Sequence, residues 1–283
     1  MQATLGGKTV LITGSSRGIG AELARQAAAA GASVLLVARD DTALAQVSRQ
    51  IRDAGGHAHP YVCDLSDFAA LDALVAQILA EHGGVDVLIH NAARSIRRPI
   101  ARSLDRFHDF ERTMQLNYFA PVRLSLGLLP SLRERAGCIG LVLSMGVLIP
   151  GPYFAAYLAS KAALDVFGDS LAAEFHHEGV HVCSVYLPLV RTEMMAPTKD
   201  YANRNDVLSV EQAATLTLRG VVERRRRVIT RRGAHLGAWN RIGPMLTTRM
   251  LSFLYATFPP SDTPSQHPKI HALFTKYVGG SPL

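Results

Sequence analysis

The sequence predicts an α/β fold in which a parallel sheet of about seven strands is covered by helices on both faces. Two observations carry the prediction: short, β-rich, nearly uninterrupted apolar runs recur along the chain, and longer segments with helical spacing separate them. A continuous apolar run implies a strand buried on both faces, and strand–helix alternation implies right-handed crossovers between parallel strands. With 283 residues, 48% of them hydrophobic and 19% charged, the chain can fill one large core of this kind.

The strands read in order as KTVLIT (8–13), SVLLVA (33–38), HAHPYV (57–62), VDVLIH (85–90), CIGLVLS (138–144), VHVCSVYL (180–187) and RRVIT (226–230). Nothing between them reads as a linker, a repeat or a low-complexity tract, so the expectation is one doubly wound domain. AAAAGA at 27–32 reads as the end of an Ala-rich helix capped by Gly31. Residues 1–232 are assigned to the sheet domain, and 233–283 to a helical C-terminal extension of the same domain.

Composition narrows the function classes. Cys63, Cys138 and Cys183 lie in or beside apolar runs without CxxC or metal-type spacing, so they read as buried fillers in a reducing compartment, and no metal site is expected. No uncharged apolar stretch reaches about 18 residues, and MQATLGGKTVLITG lacks a signal-peptide layout. The expected location is cytoplasmic. The net charge is +7, and seven arginines fall between positions 224 and 241. Such a cluster can meet nucleic acid, an anionic membrane surface or an acidic ligand, or can simply be a solvated helix end with a basic loop. No aromatic platform or DNA-binding motif accompanies it, so no nucleic-acid partner is expected.

The first strand runs into TGSSRGIG, residues 13–20, and then into the Ala-rich helix AELARQAAAAG. Glycines 14, 18 and 20 allow a tight turn, close approach of backbone to a pyrophosphate and close helix–strand packing, while the helix N-terminus faces the phosphates. Gly14, Ser16, Arg17, Gly18, Ile19 and Gly20 are therefore candidate dinucleotide contacts. Where the second strand ends, the acidic residue that would bond an NAD ribose is replaced by Ala38, with Arg39 directly after it. Arg39 and Arg17 offer two cations to a 2′-phosphate, which favours NADP(H). The alternative is that Asp40 or Asp41 takes the ribose. In CDLSD, Asp64 can accept from an adenine amino group with Leu65 beside it, since Ser66 or Asp67 suits the helix N-cap better.

In YLASK, Tyr157 and Lys161 stand one helical turn apart, close enough for a cation to bias a phenol toward phenolate. A solvent-facing Tyr/Lys pair would have the same spacing. Ser144, which ends the strand CIGLVLS, can bring a hydroxyl to the same carboxyl edge of the sheet, where ligands of open α/β sheets bind.

Together TGSSRGIG, CDLSD, HNAA, Asn117 in MQLNYFAPVRL, Ser144 and YLASK resemble the short-chain dehydrogenase/reductase family in its single-domain Rossmann form, over roughly residues 6 to 230. The resemblance implies that Tyr157 protonates the substrate carbonyl and that Lys161 lowers the tyrosine pKa and holds the nicotinamide ribose. It implies that Ser144 orients the carbonyl and that Asn117 bends its helix and holds a relay water. Asn91, Ala92, Val190 and Thr192 fall at the family's cofactor contacts, and a homodimer or homotetramer is implied. Two departures are visible: Ala93 replaces the glycine of the family's Asn-Asn-Ala-Gly, which needs a negative φ there, and YLPLVRT lacks the usual Pro-Gly.

The stretch PLVRTEMMAPTKDY, the arginine run and the tail IGPMLTTRMLSFLYATFPPSD resemble the acyl-reductase branch of the family. Residues 234–258 interleave apolar residues with arginines, which suits an acyl chain on a phosphate-bearing carrier or a shallow seat on an anionic bilayer; closing the core or a dimer interface is the alternative. The expected function is NADPH-dependent reduction of a long-chain fatty acyl thioester or aldehyde. Reduction of a ketone (3-oxoacyl, steroid or polyketide) is the second reading, and NADP binding without chemistry the third.

Overall fold

The computed structural model describes residues 5–194, 207–259 and 265–270. The expected segment around 195–206, with most of EMMAPTKDY, lies outside the described residues. Seven strands form one sheet: β1 Thr9–Thr13, β2 Ser33–Ala38, β3 His57–Val62, β4 Val87–His90, β5 Cys138–Ser144, β6 His181–Leu187 and β7 Arg227–Ile229. Their order is β3-β2-β1-β4-β5-β6-β7 and every pairing is parallel. The chain crosses from one half to the other between β1 and β4, which opens a crevice at the carboxyl ends of these strands.

The five inner strands β2, β1, β4, β5 and β6 were legible because they are buried on both faces, whereas the edge strands β3 and β7 are partly exposed. Val10 and Ile12 point to one side and Leu11 to the other, and all three are fully buried. On the first side, α1 (Gly18–Ala29), α2 (Asp41–Asp53) and α7 (Val210–Val222) cover the sheet through Leu23, Leu44, Ala214 and Val221. On the second, α3 (Phe68–His82), α5 (Ala120–Glu134) and α6 (Ala155–Phe175) cover it through Leu71, Leu128 and Leu164. Pro60 has no N–H to donate, and it sits in β3 at the sheet edge. Gly31 follows α1 in the left-handed region, the cap position expected of it.

Asp67, not Asp64, caps α3, accepting from the Ala69 and Ala70 amides. The three cysteines are free and buried. The first four arginines of the run are engaged by other groups of the fold. Arg224 donates to the carbonyls of Ala136 and Gly179, Arg225 pairs with Glu223, and Arg226 and Arg227 both pair with Asp169 of α6. Arg224, Arg226 and Arg227 therefore fasten β7 and the end of α7 to the rest of the domain, leaving cations further on to face outward.

The last described helices are α8 (Arg231–Ile242) and α9 (Pro244–Thr257). α8 starts at a Thr230 side-chain cap and α9 at Pro244 in its first turn, both favourable helix starts.

Candidate active site

Two carboxyl-edge structures meet at the crevice. At the first, β1 ends in Thr13, whose Oγ1 accepts from the amides of Asn91 and Ala92 at 3.0 and 3.1 Å. The Asn91 side chain donates back to the carbonyls of Thr13 and Gly14 at 3.0 and 3.3 Å. This knot stitches the glycine loop to the end of β4. Gly14 has φ +68°, and a Cβ there would stand 2.9 Å from the Ala92 Cα; one on Gly20 would stand 2.1 Å from the Gly14 carbonyl oxygen. Only glycine fits either position, and the backbone is left bare at the N-terminus of α1. Ala93 is not among the residues with positive φ, so alanine replaces the usual glycine without strain.

Around this loop the remaining candidates take separate places. Ser16, Gly18 and Ile19 are partly exposed in the loop and first turn, and Leu65 is buried. Thr192 faces Gly18, its Cγ2 3.8 Å from where a Cβ would stand, and Val190 is held by a bridge to Leu208. Arg39 is exposed, its closest acidic partner being Asp64 at 4.0 Å, and Asp64 also accepts from the Ser66 amide. Arg17 is less available than the sequence suggests, because it pairs with Asp40 at 3.0 Å and Glu193 at 3.3 Å. Asp40 is occupied twice, since it also caps α2 through the Ala43 amide.

At the second edge, Ser144 ends β5, its Oγ accepting from the Gly146 amide at 3.1 Å, and Tyr157 sits in the first turn of α6 close enough for the Ser144 hydroxyl to act on its phenol. Lys161 lies one turn on, only 2% exposed, which excludes a solvent-facing pair. Its Nζ donates to the Val142 carbonyl at 2.8 Å. The expected pull of Lys161 on the phenol is not what dominates. Burial pushes the Tyr157 phenol up to about 12, opposed by the Ser144 hydrogen bond. Burial likewise brings Lys161 down to about 8, so its ammonium is both engaged by a carbonyl and closer to neutrality than a surface lysine.

Asn117 is buried in a π-helical turn, Gln115–Phe119, that interrupts the helix running from α4 (Phe107–Met114) into α5. The wide turn is a single-turn bulge of the kind found at functional sites. Asn117 Oδ1 accepts from the Arg94 amide at 2.8 Å, and Nδ2 donates to the Arg94 carbonyl and to Ser160 Oγ, both at 2.9 Å. Ser160 in turn donates to the Tyr157 carbonyl at 2.7 Å. A continuous network thus runs from the segment after β4 through Asn117 to the backbone of Tyr157. The resemblance supplied Asn117, but Ser160 and Thr13 were missed, because a serine inside a helix and a threonine ending a strand carry no local signal.

Tyr153 was missed as well. It is buried with φ +73°, a strained conformation for a bulky residue. Its hydroxyl donates to the Phe258 carbonyl at 2.9 Å, and its own carbonyl accepts from the Arg98 amide at 2.7 Å. The end of α9 is thereby pinned four residues ahead of Tyr157. α8 packs beside the other edge, where Asn240 Nδ2 donates to the Leu148 carbonyl just after Ser144.

His90, where the family has its first Asn, is buried with Nε2 2.8 Å from Ser125 Oγ, while Nδ1 has no partner. Burial, helped by the positive charge of Lys161, holds it at about 3, so it is neutral. In the unfolded chain the same imidazole takes up a proton below its ordinary value of 6.5. Stability therefore falls as pH drops from 6.5 toward 3, at up to about 1.4 kcal/mol per unit from this group. His90→Asn removes that slope, and the acid-unfolding midpoint measured by circular dichroism is expected to move to lower pH. An unchanged midpoint contradicts the assignment.

Among the described residues, no group of three His, Cys, Asp or Glu side chains could hold a metal ion, and no helix is long and apolar enough to cross a membrane.

Residues 8–203 match the family described as short chain dehydrogenase. A fatty acyl-CoA reductase of Acinetobacter baylyi is 48% identical over 256 residues, 90% of this chain and 86% of that one. A fatty acyl-CoA reductase of Mycobacterium tuberculosis is 45% identical over 242 residues, 85% of this chain and 82% of that one. Among solved structures, L-sorbose reductase from Gluconobacter frateurii, complexed with NADPH and L-sorbose, superposes with a TM-score of 0.72 at 28% identity, covering 79% of this chain and 93% of that one. A 3-oxoacyl (acyl-carrier-protein) reductase from Agrobacterium tumefaciens with NADP bound superposes with a TM-score of 0.70 at 29% identity, covering 77% of this chain and 88% of that one. A parallel sheet with a bare glycine loop at one strand end, a Ser–Tyr pair with a buried lysine at another, and a family match across both place this chain in the short-chain dehydrogenase/reductase family of oxidoreductases.

Proposed function

We propose that the protein is an NADPH-dependent reductase of long-chain fatty acyl thioesters. The observation that carries this reading is the reach of the similarity to the Acinetobacter baylyi enzyme. An alignment covering 90% of the chain cannot end before α9, so it includes α8 and most of α9. The family match alone stops at residue 203.

Gly14, Gly18 and Gly20 suit the pyrophosphate of a dinucleotide, with Ser16, Arg17 and Ile19 beside it. Asn91, Ala92, Val190 and Thr192 suit its nicotinamide half, and Asp64 and Leu65 its adenine. Arg39, exposed and only loosely paired, suits a 2′-phosphate and so NADP(H), the cofactor held by the two solved neighbours. When bound, the nicotinamide supplies the hydride to the carbonyl carbon. Tyr157 Oη delivers the proton to the carbonyl oxygen, and Ser144 Oγ donates to the same oxygen as charge develops there. The hemithioacetal so formed expels the thiol and leaves the aldehyde. A phenol near 12 arrives fully protonated, which suits a donor in the reducing direction. Lys161 holds the ribose, and Asn117 holds the bulged turn and the proton path behind Tyr157.

Residues 1–232 act as the catalytic Rossmann domain, and 233–283 as an extension beside the substrate cleft. Assembly as a homodimer or homotetramer and peripheral contact with an anionic lipid surface belong to the same reading. The test is NADPH and NADH oxidation, followed spectrophotometrically against long-chain acyl-CoA thioesters, fatty aldehydes, 3-oxoacyl thioesters, steroids and simple ketones. Turnover of acyl-CoA with NADPH is expected. A response to ketones alone assigns a ketoreductase instead, a preference for NADH overturns the role of Arg39, and cofactor binding without any turnover overturns the enzyme reading.

A further inference from the structure

Catalysis leaves unused the outer side of α8 and α9, where large apolar side chains are exposed. The inner side of α8 is fixed by Gly233 against Met145 and Ile229, by Gly237 against Leu148, and by the Asn240 bond to the Leu148 carbonyl. The inner side of α9 is fixed by buried Thr247, by Tyr255 against the Tyr153 ring, and by the end residue Phe258 under the Tyr153 hydroxyl. Helical spacing then turns Trp239 and Ile242 away from the domain on α8, and Met245, Leu246 and Phe253 away on α9. Ile242 is 87% exposed, Met245 65% and Trp239 50%; Leu246, Met250 and Phe253 are exposed too, the last even with its ring against His267.

Cations stand among these side chains. Arg231, Arg241 and Arg249 are exposed and make no ion pair among the described residues, unlike Arg224–Arg227 in the run before them. Large apolar side chains in water beside unpaired guanidinium groups suit the boundary between acyl chains and phosphate headgroups, where the apolar groups bury and the arginines reach the phosphates. A second copy of this chain would instead bring the same unpaired arginines face to face, which charge opposes. No helix among the described residues can span a bilayer, so the contact lies in its plane.

We propose that α8 and α9 dock this protein on an anionic bilayer surface, with Trp239, Ile242, Met245, Leu246 and Phe253 in the acyl boundary and Arg231, Arg241 and Arg249 on the phosphates. The same two helices pack next to Ser144 and ahead of Tyr157, so docking sets the cleft close to lipid. The purpose of the surface rests on the acyl-reductase reading, but the binding does not require turnover.

The full-length protein is mixed with extruded vesicles of phosphatidylcholine plus phosphatidylglycerol, or of phosphatidylcholine alone, and pelleted. Trp239 is the only tryptophan of the chain and reports insertion directly by a blue shift of its emission. Expected are sedimentation with the anionic vesicles, a blue shift, and loss of binding as salt rises. Arg241→Gln and Arg249→Gln should each weaken binding about fivefold. Ile242→Glu with Met245→Glu should weaken it at least tenfold or so while leaving the melting temperature unchanged, since both side chains lie outside the packed core. Absence of binding and of the blue shift overturns the proposal, as does equal binding to neutral vesicles. Self-association abolished by the same double substitution, without vesicle binding, overturns it in favour of a second copy. Acyl-CoA turnover by a protein that ignores vesicles removes this proposal alone; vesicle binding without turnover removes the reductase reading alone.

Discussion

Tyr157→Phe is expected to lower the reduction rate by about a thousandfold while leaving the NADPH dissociation constant within about threefold of wild type. The substitution removes one oxygen. The ring keeps its place in the first turn of α6, so the helix, the Ser160 bond to the Tyr157 carbonyl and the Asn117 network stay intact. On the proposed mechanism, what goes is the proton that reaches the carbonyl oxygen as the hydride arrives. No other described side chain is aligned to replace it. Lys161 is committed to the Val142 carbonyl, and His90 is neutral and buried against Ser125. Steady-state kinetics give the rate, and quenching of protein fluorescence by NADPH gives the affinity. A variant turning over at the wild-type rate removes the mechanism; one that loses NADPH binding assigns Tyr157 to the cofactor site instead.

Much of this was readable in the sequence, and the reason is local. Strands buried on both faces must be apolar throughout, so β1, β2, β4, β5 and β6 appear as apolar runs, and all seven strands fall within a few residues of the expectation although β3 and β7 lie half-exposed at the sheet edges. The glycine loop was legible because Gly14 and Gly20 answer steric demands that no other residue meets. What stayed hidden depends on groups far apart in the chain. Nothing near Arg226 and Arg227 says that Asp169 will pair with both, so the sequence does not show that these two members of a largely exposed run fasten β7 to α6. The bulge at Asn117, the Ser160 link and the Tyr153–Phe258 clamp are likewise products of the packed helices. The direction of the tyrosine shift was misjudged for the same reason. Spacing places the lysine one turn away but cannot say that burial outweighs its charge, or that Val142 claims its Nζ.

That buried ammonium leads to the second large effect: Lys161→Met should abolish most turnover yet stabilise the cofactor-free protein near neutral pH. Met has a similar volume and an apolar end, so α6 keeps its packing against β5. The cost it removes can be sized. Burial depresses Lys161 from 10.5 to about 8, and at about 1.4 kcal/mol per unit the folded state gives up about 3 kcal/mol wherever the lysine is charged in both states. Against this stands the lost Nζ bond to the Val142 carbonyl, about 1 kcal/mol. A net gain of about 2 kcal/mol is expected at neutral pH. The sign with pH follows from proton counts. Between 8 and 10.5 the unfolded chain holds a proton that the folded protein has released, so wild-type stability rises with pH through that window and the advantage of the variant closes. Urea unfolding at neutral pH and again at the top of that window measures both ends. A gap that does not change with pH would mean the ammonium is not what the fold is bearing. A gap that closes, with turnover lost at every pH, identifies a charge kept in the core at a cost in stability because the chemistry at Tyr157 requires it.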